Sequence, residues 1–331
     1  LQILRRARDV GFVRITRGHF ESRVLSTVID VGLFDHLASE GFVDVGEFAA
    51  AHALDSEVLA SLCDYLYALG FFQKTPRGFT LDESGRLVAQ AMRGIFDLTA
   101  AYEDLLHGLE PILRREARYG QEIQRNARLM ARGSGAGGHL FTFPLAANLI
   151  QSHGFQVPLD LACGDAEFLI DLCRRTSVRT AYGVDVAPDA IDEGRKRVRE
   201  ERLDDRIRLV VEDAYRLDQV ADQLPGVDVI TSFYGFQEFW ALGRDRLLAL
   251  IDTCRRAFPG VAFLVCEIPR YSPEELRRNP GGVVEYQLFH RLTGQHLSTL
   301  DEWRQLWRDA GFTSVEERYL DFARTVFYLL R

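Results

Sequence analysis

The alternating rhythm of residues 157–267 restricts what this chain can fold into more tightly than any other feature. Five apolar runs recur there, at 157–163, 180–185, 207–213, 227–233 and 261–267. Helical spacing fills the intervals, as in Phe168, Leu169 and Leu172 after the first run and in 188–201 after the second. Short strands alternating with helices make right-handed βαβ crossovers, which assemble into a parallel, doubly wound sheet covered on both faces. An α/β fold follows, and with it a place for ligands at the carboxyl ends of the strands.

Residues 1–100 follow another pattern. Val24, Leu25, Val28, Ile29, Leu33 and Leu37 recur at helical intervals and predict one helix with a buried face. Val45, Phe48 and Ala49 predict a second. A third starts after Asp55, an N-cap, and runs through Val58, Leu59, Leu62, Tyr65 and Leu66 to a stop at Gly70. Residues 71–74 and 78–81 flank Thr75-Pro76-Arg77 and predict two strands around a turn. Helices followed by a two-stranded wing outline a winged-helix module. Its third helix carries Asp55, Glu57 and Asp64 but no Lys or Arg, and the whole chain has a formal charge of −8. A helix entering a DNA groove must neutralise phosphates and donate to base edges. No nucleic-acid partner is therefore expected, and the module is expected to pack against a second copy of itself.

Residues 101–150 read as an amphipathic helical linker or lid. It is interrupted at 132–138 by a glycine-rich stretch that follows no strand and lacks the Lys-Ser/Thr of a phosphate loop. A flexible hinge is expected there. The domains are thus placed at 1–100, 101–150 and 151–331. No uncharged apolar run of about 18 residues predicts a membrane span, and residues 1–6 lack the order of a secretory leader. Cys63, Cys163, Cys173, Cys254 and Cys266 are scattered, with no Cys-x-x-Cys pair. They read as reduced core thiols of a cytoplasmic protein.

Four of the strands end in or near an acid: Asp160, Asp185, Asp213 and Glu267. Asp185 stands one βαβ step after Asp160, where a carboxylate reaches ribose hydroxyls. Small residues close the first strand (Ala162, Gly164 and Ala166) and admit a ligand close to the backbone. No Arg or Lys stands at these strand ends to balance a pyrophosphate, so a nicotinamide dinucleotide fits poorly. The acids suit a cationic ligand rich in hydroxyl and amino donors, and S-adenosylmethionine has a sulfonium, an ammonium, two ribose hydroxyls and an adenine amino group.

On these residues the chain resembles the class I S-adenosylmethionine-dependent methyltransferases that carry an N-terminal winged-helix dimerisation domain. The family's first motif, Asp-x-Gly-x-Gly-x-Gly, is matched by Asp160-x-Ala162-x-Gly164-x-Ala166. Its following acid is matched by Asp185 beside Val186, and its adenine-side acid by Asp213 beside Ala214. Its late Thr-x-x-Glu-Trp and Ala-Gly-Phe segments are matched by Thr299, Glu302 and Trp303, and by Ala310, Gly311 and Phe312. The resemblance covers nearly the whole chain. It implies a Rossmann-like, mostly parallel sheet preceded by a mainly helical dimerisation domain, and a homodimer. It implies that S-adenosylmethionine is held by Asp160, Ala162, Gly164, Asp185, Val186, Asp213, Ala214 and Phe233. It also implies a small-molecule acceptor lined by Tyr234, Gln237 and Trp240.

O-methyltransferases of this family typically place His-Asp-Trp after the fourth strand, the His serving as general base. This chain has Gln237, Glu238, Phe239 and Trp240 there, and an amide cannot take up a proton at neutral pH. The stretch is similar to a smaller branch, the α-keto acid C-methyltransferases, which hold a metal with a His-Asp pair and a later His. Gln237 and Glu238 match the pair, and His290 the later His. The branch implies methylation of the carbon next to a ketone, with a divalent metal at Glu238 and His290 easing formation of the enolate. Catalytic roles then fall to Glu238, His290 and His296. O-methylation of a hydroxylated metabolite with Glu238 or His296 as base stays open, as does a non-catalytic S-adenosylmethionine-binding protein.

Smaller expectations complete the reading. Glu167 touches the methionine end of the cofactor or complements its helix dipole. Tyr234 and Phe236 wall the sulfonium. Trp303, Trp307 and Phe312 enter the core. Arg195, Lys196 and Arg197 face solvent. Arg118, Arg128 or Arg132 reaches an acidic substrate.

Overall fold

The computed structural model describes residues 11–331 and, at Ala131 and Phe322, the backbone alone. The expectation about a secretory leader, read from residues 1–6, falls outside the described residues. The described residues form two units, one ending at Gly137 and one running from Gly138 to Arg331.

The first unit begins with α1 (Phe12–Asp30) and α2 (Leu33–Glu40). The single helix expected across 24–37 is therefore two. Gly32 takes a left-handed φ of 80° between them, and the stripe continues across the corner because Leu25, Val28, Ile29, Leu33 and Leu37 are all buried. Next come α3 (Val45–Ala51), capped by Asp44, and α4 (Ser56–Ala68). Asp55 caps α4 as expected, its Oδ1 accepting from the N–H groups of Glu57 and Val58 at 2.9 and 3.0 Å. The wing follows as β1 (Phe72–Thr75) and β2 (Gly78–Leu81), antiparallel. Asp64 on α4 binds Lys74 on the wing at 2.9 Å. The unit continues through α5 (Glu83–Leu87), a π-helical turn at Val88–Met92, α6 (Arg93–Ala101), α7 (Glu103–His107) and α8 (Leu109–Leu113) to α9 (Ala127–Gly137).

The glycine-rich stretch at 132–138 is helical. Its glycines lie in α9 and at the start of the next turn, and Gly133 is there for contact. A Cβ on Gly133 would sit 2.7 Å from Leu98 Cγ and 2.8 Å from the Gly94 carbonyl oxygen, and one on Gly94 would meet the Ala136 Cβ at 2.5 Å. Small residues let α6 and α9 approach closely, a tertiary gain that outweighs the poor helix propensity of glycine. Arg132, a candidate for gripping an acidic substrate, is already engaged. Its Nε donates to Asp97 at 2.7 Å and its Nη2 to Asp30 at 2.7 Å.

The second unit opens with a π-helical turn, Gly138–Thr142, and α10 (Phe143–Ser152). Then come β3 (Pro158–Leu161), α11 (Glu167–Arg175), β4 (Ala181–Asp185), α12 (Pro188–Glu200), β5 (Ile207–Val211), β6 (Val229–Phe233), α13 (Phe236–Ala241), α14 (Arg244–Ala257) and β7 (Ala262–Glu267). The chain ends with α15 (Pro273–Arg278), α16 (Val283–Leu292), α17 (Leu300–Asp309) and an unanticipated hairpin, β8 (Val315–Leu320) and β9 (Thr325–Leu330).

The five foreseen strands are parallel, in the order β5-β4-β3-β6-β7; β9 adds antiparallel to β7 and β8 closes the edge. β8 escaped notice because its Glu316, Glu317 and Arg318 suit an outermost strand, where charge blunts edge pairing. One face of the sheet buries Ala146, Leu169, Ile191 and Val198, and the other buries Leu250, Ile251, Trp303 and Trp307. Trp303, Trp307 and Phe312 thus enter the core as expected. The Thr-x-x-Glu segment is a reciprocal capping box on α17: Thr299 Oγ1 accepts from the Glu302 N–H at 3.2 Å, and Glu302 Oε2 from the Thr299 N–H at 2.6 Å. Among the described residues no helix is long and apolar enough to cross a membrane.

Candidate active site

The strand order reverses between β3 and β6, and the crevice beyond their carboxyl ends is where this architecture receives ligands. The turn after β3 carries left-handed backbone at Ala162 (φ 56°), Gly164 (φ 54°) and Ala166 (φ 65°). Alanine in that region costs about 1 kcal/mol or more relative to glycine, so the two substitutions of the motif are strained rather than neutral. A Cβ on Gly164 would meet nothing within 4 Å, which leaves open space against its backbone. The turn is tied from β4: Asp185 Oδ2 accepts from the Gly164 N–H, and Oδ1 from the Ala187 N–H, each at 2.9 Å. Val186 is exposed. After β5, the exposed Asp213 caps a 3₁₀ turn that starts at Ala214, accepting from the Tyr215 N–H at 3.0 Å.

The four acids are not a row of surface anions. Asp160 sits inside the ladder, 4% exposed, beside Thr231 on β6, and accepts from its hydroxyl at 2.6 Å. Burial pushes its carboxyl up to about 7. Glu267 is wholly buried at the end of β7; its Oε1 accepts from the Phe236 N–H at 2.9 Å, at the start of α13. Its Oε2 has no partner, and burial raises its carboxyl well above the usual range. A strand's last residues remain in the sheet, so Asp160 ties β3 to β6 and Glu267 braces the start of α13 from beneath. Asp185 and Asp213 are the ones that can meet a ligand.

A cation does stand at this rim, contrary to expectation. Arg197 does not face solvent with Arg195 and Lys196. Its Nη1 contacts Asp165 and bonds Glu167 Oε2 at 2.6 Å. Gly194, one turn earlier, makes this possible, because a Cβ there would lie 3.0 Å from the Asp165 backbone. Glu167 is thereby spoken for, and its other oxygen is bound by His139, a residue the sequence did not single out.

Phe233 ends β6 in an aromatic group, 4.4 Å from Phe168 and 5.6 Å from Phe143 between centroids. Tyr234 packs on the same core with its hydroxyl near Thr325, and Phe236 is wholly buried against Trp307. Phe236 is therefore core, not a wall for a sulfonium. On α13 and α16 a buried polar cluster forms. Gln237 Nε2 donates to the Tyr286 hydroxyl at 2.8 Å and meets His290 Nε2 at 3.1 Å. His290 Nδ1 lies 2.7 Å from the Tyr286 carbonyl oxygen, an acceptor only, so Nδ1 carries the proton and Nε2 the lone pair of the neutral ring. Tyr286 went unnoticed in the sequence; its place four residues before His290, one helical turn, was the available signal. Glu238 and His296 are exposed: Glu238 accepts from Gln295 at 3.3 Å, while His296 lies 5.7 Å from Trp240 in a stack and 3.0 Å from the Ser298 hydroxyl.

The expected metal pair does not fit this arrangement. Among the described residues no three of His, Cys, Asp and Glu gather as a metal site, and the lone-pair nitrogen of His290 faces an amide N–H donor. S-adenosylmethionine does fit: Gly164 offers open backbone, and Asp185 and Asp213 offer carboxylates for hydroxyl and amino donors.

The comparisons with known proteins agree with this geometry. Residues 159–258 match a methyltransferase domain and residues 13–91 an O-methyltransferase dimerisation domain. Methyltransferase ungE' of Aspergillus campestris is 26% identical, the alignment covering 91% of this chain and 92% of that protein. The 2-ketoarginine methyltransferase of Streptomyces arginensis is 24% identical over 92% of this chain and 89% of its own. Among solved structures, LaPhzM superposes with a TM-score of 0.70 at 18% identity, covering 97% of this chain and 98% of that one. PigF with SAH superposes with a TM-score of 0.69 at 18% identity, covering 96% and 98%. The chain is an S-adenosylmethionine-dependent methyltransferase with a methyltransferase domain behind an O-methyltransferase dimerisation domain.

Proposed function

We propose that this enzyme methylates the carbon next to the ketone of a small α-keto acid, with His290 as general base. The observation that carries this reading is the buried Gln237–Tyr286–His290 cluster, which holds the imidazole by Nδ1 on a carbonyl and sets Nε2 beside two hydrogen-bond donors. Asp185 and Asp213 would bind the ribose and adenine ends of the cofactor, and the Ala162–Ala166 turn would lie along it. The bound cofactor supplies an electrophilic methyl group on a sulfonium.

His290 Nε2, on exchanging its contact with Gln237 for substrate, removes the proton from the carbon beside the ketone. Gln237 and the Tyr286 hydroxyl donate to the oxygen on which the negative charge gathers. The carbon's electron pair then forms the new C–C bond as the S–CH₃ bond breaks toward sulfur, and His290 returns its proton to solvent. General-base removal of this kind contributes about 10²–10⁴ in rate. The keto acid in the name of the Streptomyces relative supports the acceptor class. Exposed Phe12, Val13, Ile15 and Phe20 on α1 support pairing of two copies through the first unit, and five buried, unpaired cysteines support a reducing cytoplasm.

The test is deuterium uptake by keto acids in D₂O, followed by NMR without cofactor, and methyl transfer from labelled cofactor. Wild type should exchange the hydrogens beside the ketone, and His290→Gln should lose that exchange while binding S-adenosylhomocysteine normally. Transfer to phenols but not keto acids, abolished by His296→Ala, would replace this reading with O-methylation.

A further inference from the structure

The turn between β3 and α11 carries three left-handed residues, two of them alanine, and α11 has no side-chain cap at Ala166. Its conformation must therefore be imposed by its neighbours. Three sets of contacts do this: Asp185 on the Gly164 N–H, Arg197 on Asp165 and Glu167, and His139 on α11.

The last of these comes from a separate element. His139 lies in the π-helical turn that opens the second unit, a distortion that re-aims side chains and recurs at functional sites. Its Nε2 is 2.6 Å from Glu167 Oε1 and its Nδ1 is 3.1 Å from Asp171 Oδ1, so one ring spans the first two turns of α11. Phe143, the first residue of α10, packs 5.2 Å from His139, 5.3 Å from Phe168 and 5.6 Å from Phe233. The charged groups facing the ring and its partners are Glu167 and Asp171 of α11, Arg175 on Asp171, and Arg197 of α12 on Glu167 and Asp165. Three cations then balance three carboxylates when the imidazole is protonated, and one negative charge is left over when it is not.

We propose that His139 is a positioning residue for cofactor binding: its imidazolium clasps Glu167 and Asp171, fastening the π-helical turn to α11 and holding the Ala162–Ala166 turn in its binding conformation. The proposal rests on the reading that this turn lies along S-adenosylmethionine. The carboxylates of Asp171 and Glu167 push the imidazole up to about 9, and His139 with Arg197 pulls Glu167 down to about 2. The clasp is therefore closed at neutral pH and opens as pH rises through about 9.

Calorimetry with S-adenosylhomocysteine on the full chain tests it. At pH 7.5, His139→Gln should bind about tenfold more weakly, the loss of one charge-assisted contact. The wild-type affinity should fall between pH 8 and 10 with a bend that the variant lacks. Glu167→Gln, which leaves the ring one carboxylate, should move that bend to lower pH, and it serves if the histidine variant does not fold. Equal affinity of His139→Gln and wild type, or a bend unmoved in both variants, overturns the clasp. The underlying reading fails separately, if Asp185→Ala binds as tightly as wild type.

Discussion

Replacing Asp160 with Asn tests the finding that the first acid of the cofactor motif is an internal brace. Its carboxyl is 4% exposed and rises from 3.8 to about 7, chiefly through burial, with the Asp185 charge adding and the Thr231 hydroxyl opposing. The folded protein therefore holds this proton more tightly than the unfolded chain. Stability from this group is greatest below pH 4 and declines as pH climbs from about 4 to about 7. At 1.36 kcal/mol per pH unit, that decline reaches roughly 4 kcal/mol. Asn keeps an oxygen for the Thr231 hydroxyl but cannot ionise. It brings a buried amide that costs about 1–3 kcal/mol where it finds no acceptor. Asp160→Asn should thus be less stable than wild type at pH 5 and should match or exceed it at pH 8. Urea unfolding at both pH values would show this by tryptophan fluorescence. Trp240, Trp303 and Trp307, the three tryptophans of the chain, all lie in the second unit and report on it. The change from pH 5 to pH 8 should differ between the two proteins by about 2–4 kcal/mol. An identical change in both would refute the argument that burial holds this proton.

Gly194→Ala should weaken binding of S-adenosylhomocysteine measurably by calorimetry, because its methyl would press within 3.0 Å of the Asp165 backbone and lift α12 from the cofactor turn. Gly133→Ala should destabilise the first unit by about 1–3 kcal/mol in a circular-dichroism melt, since the new methyl meets Leu98 at 2.7 Å and the Gly94 carbonyl at 2.8 Å. Dialysis against a chelator should leave methyl transfer within about twofold of its starting rate, because no described cluster of three His, Cys, Asp or Glu residues exists to hold a metal.

Much of this protein is local and could be read along the chain. The five parallel strands are continuous apolar runs because both faces of such a sheet are covered. Asp55 and Gly70 punctuate α4 because a helix end needs an acceptor for its free N–H groups and a left-handed exit. The small residues after β3 and the spaced acids were legible, and so was the amide at Gln237 where the resembling family carries a histidine. What could not be read were properties of neighbours distant in sequence. How firmly Asp160 holds its proton depends on burial in the sheet, opposed by the Thr231 hydroxyl on the next strand, and Arg197 reaches Asp165 only because Gly194 brings α12 onto it. The close contact that Gly133 of α9 makes with Leu98 and Gly94 of α6 was likewise beyond the sequence. Periodicity and capping act within a turn or two of chain, so sequence alone determines them. Charge state, pairing and burial depend on what the fold brings alongside, and tertiary structure alone decided those.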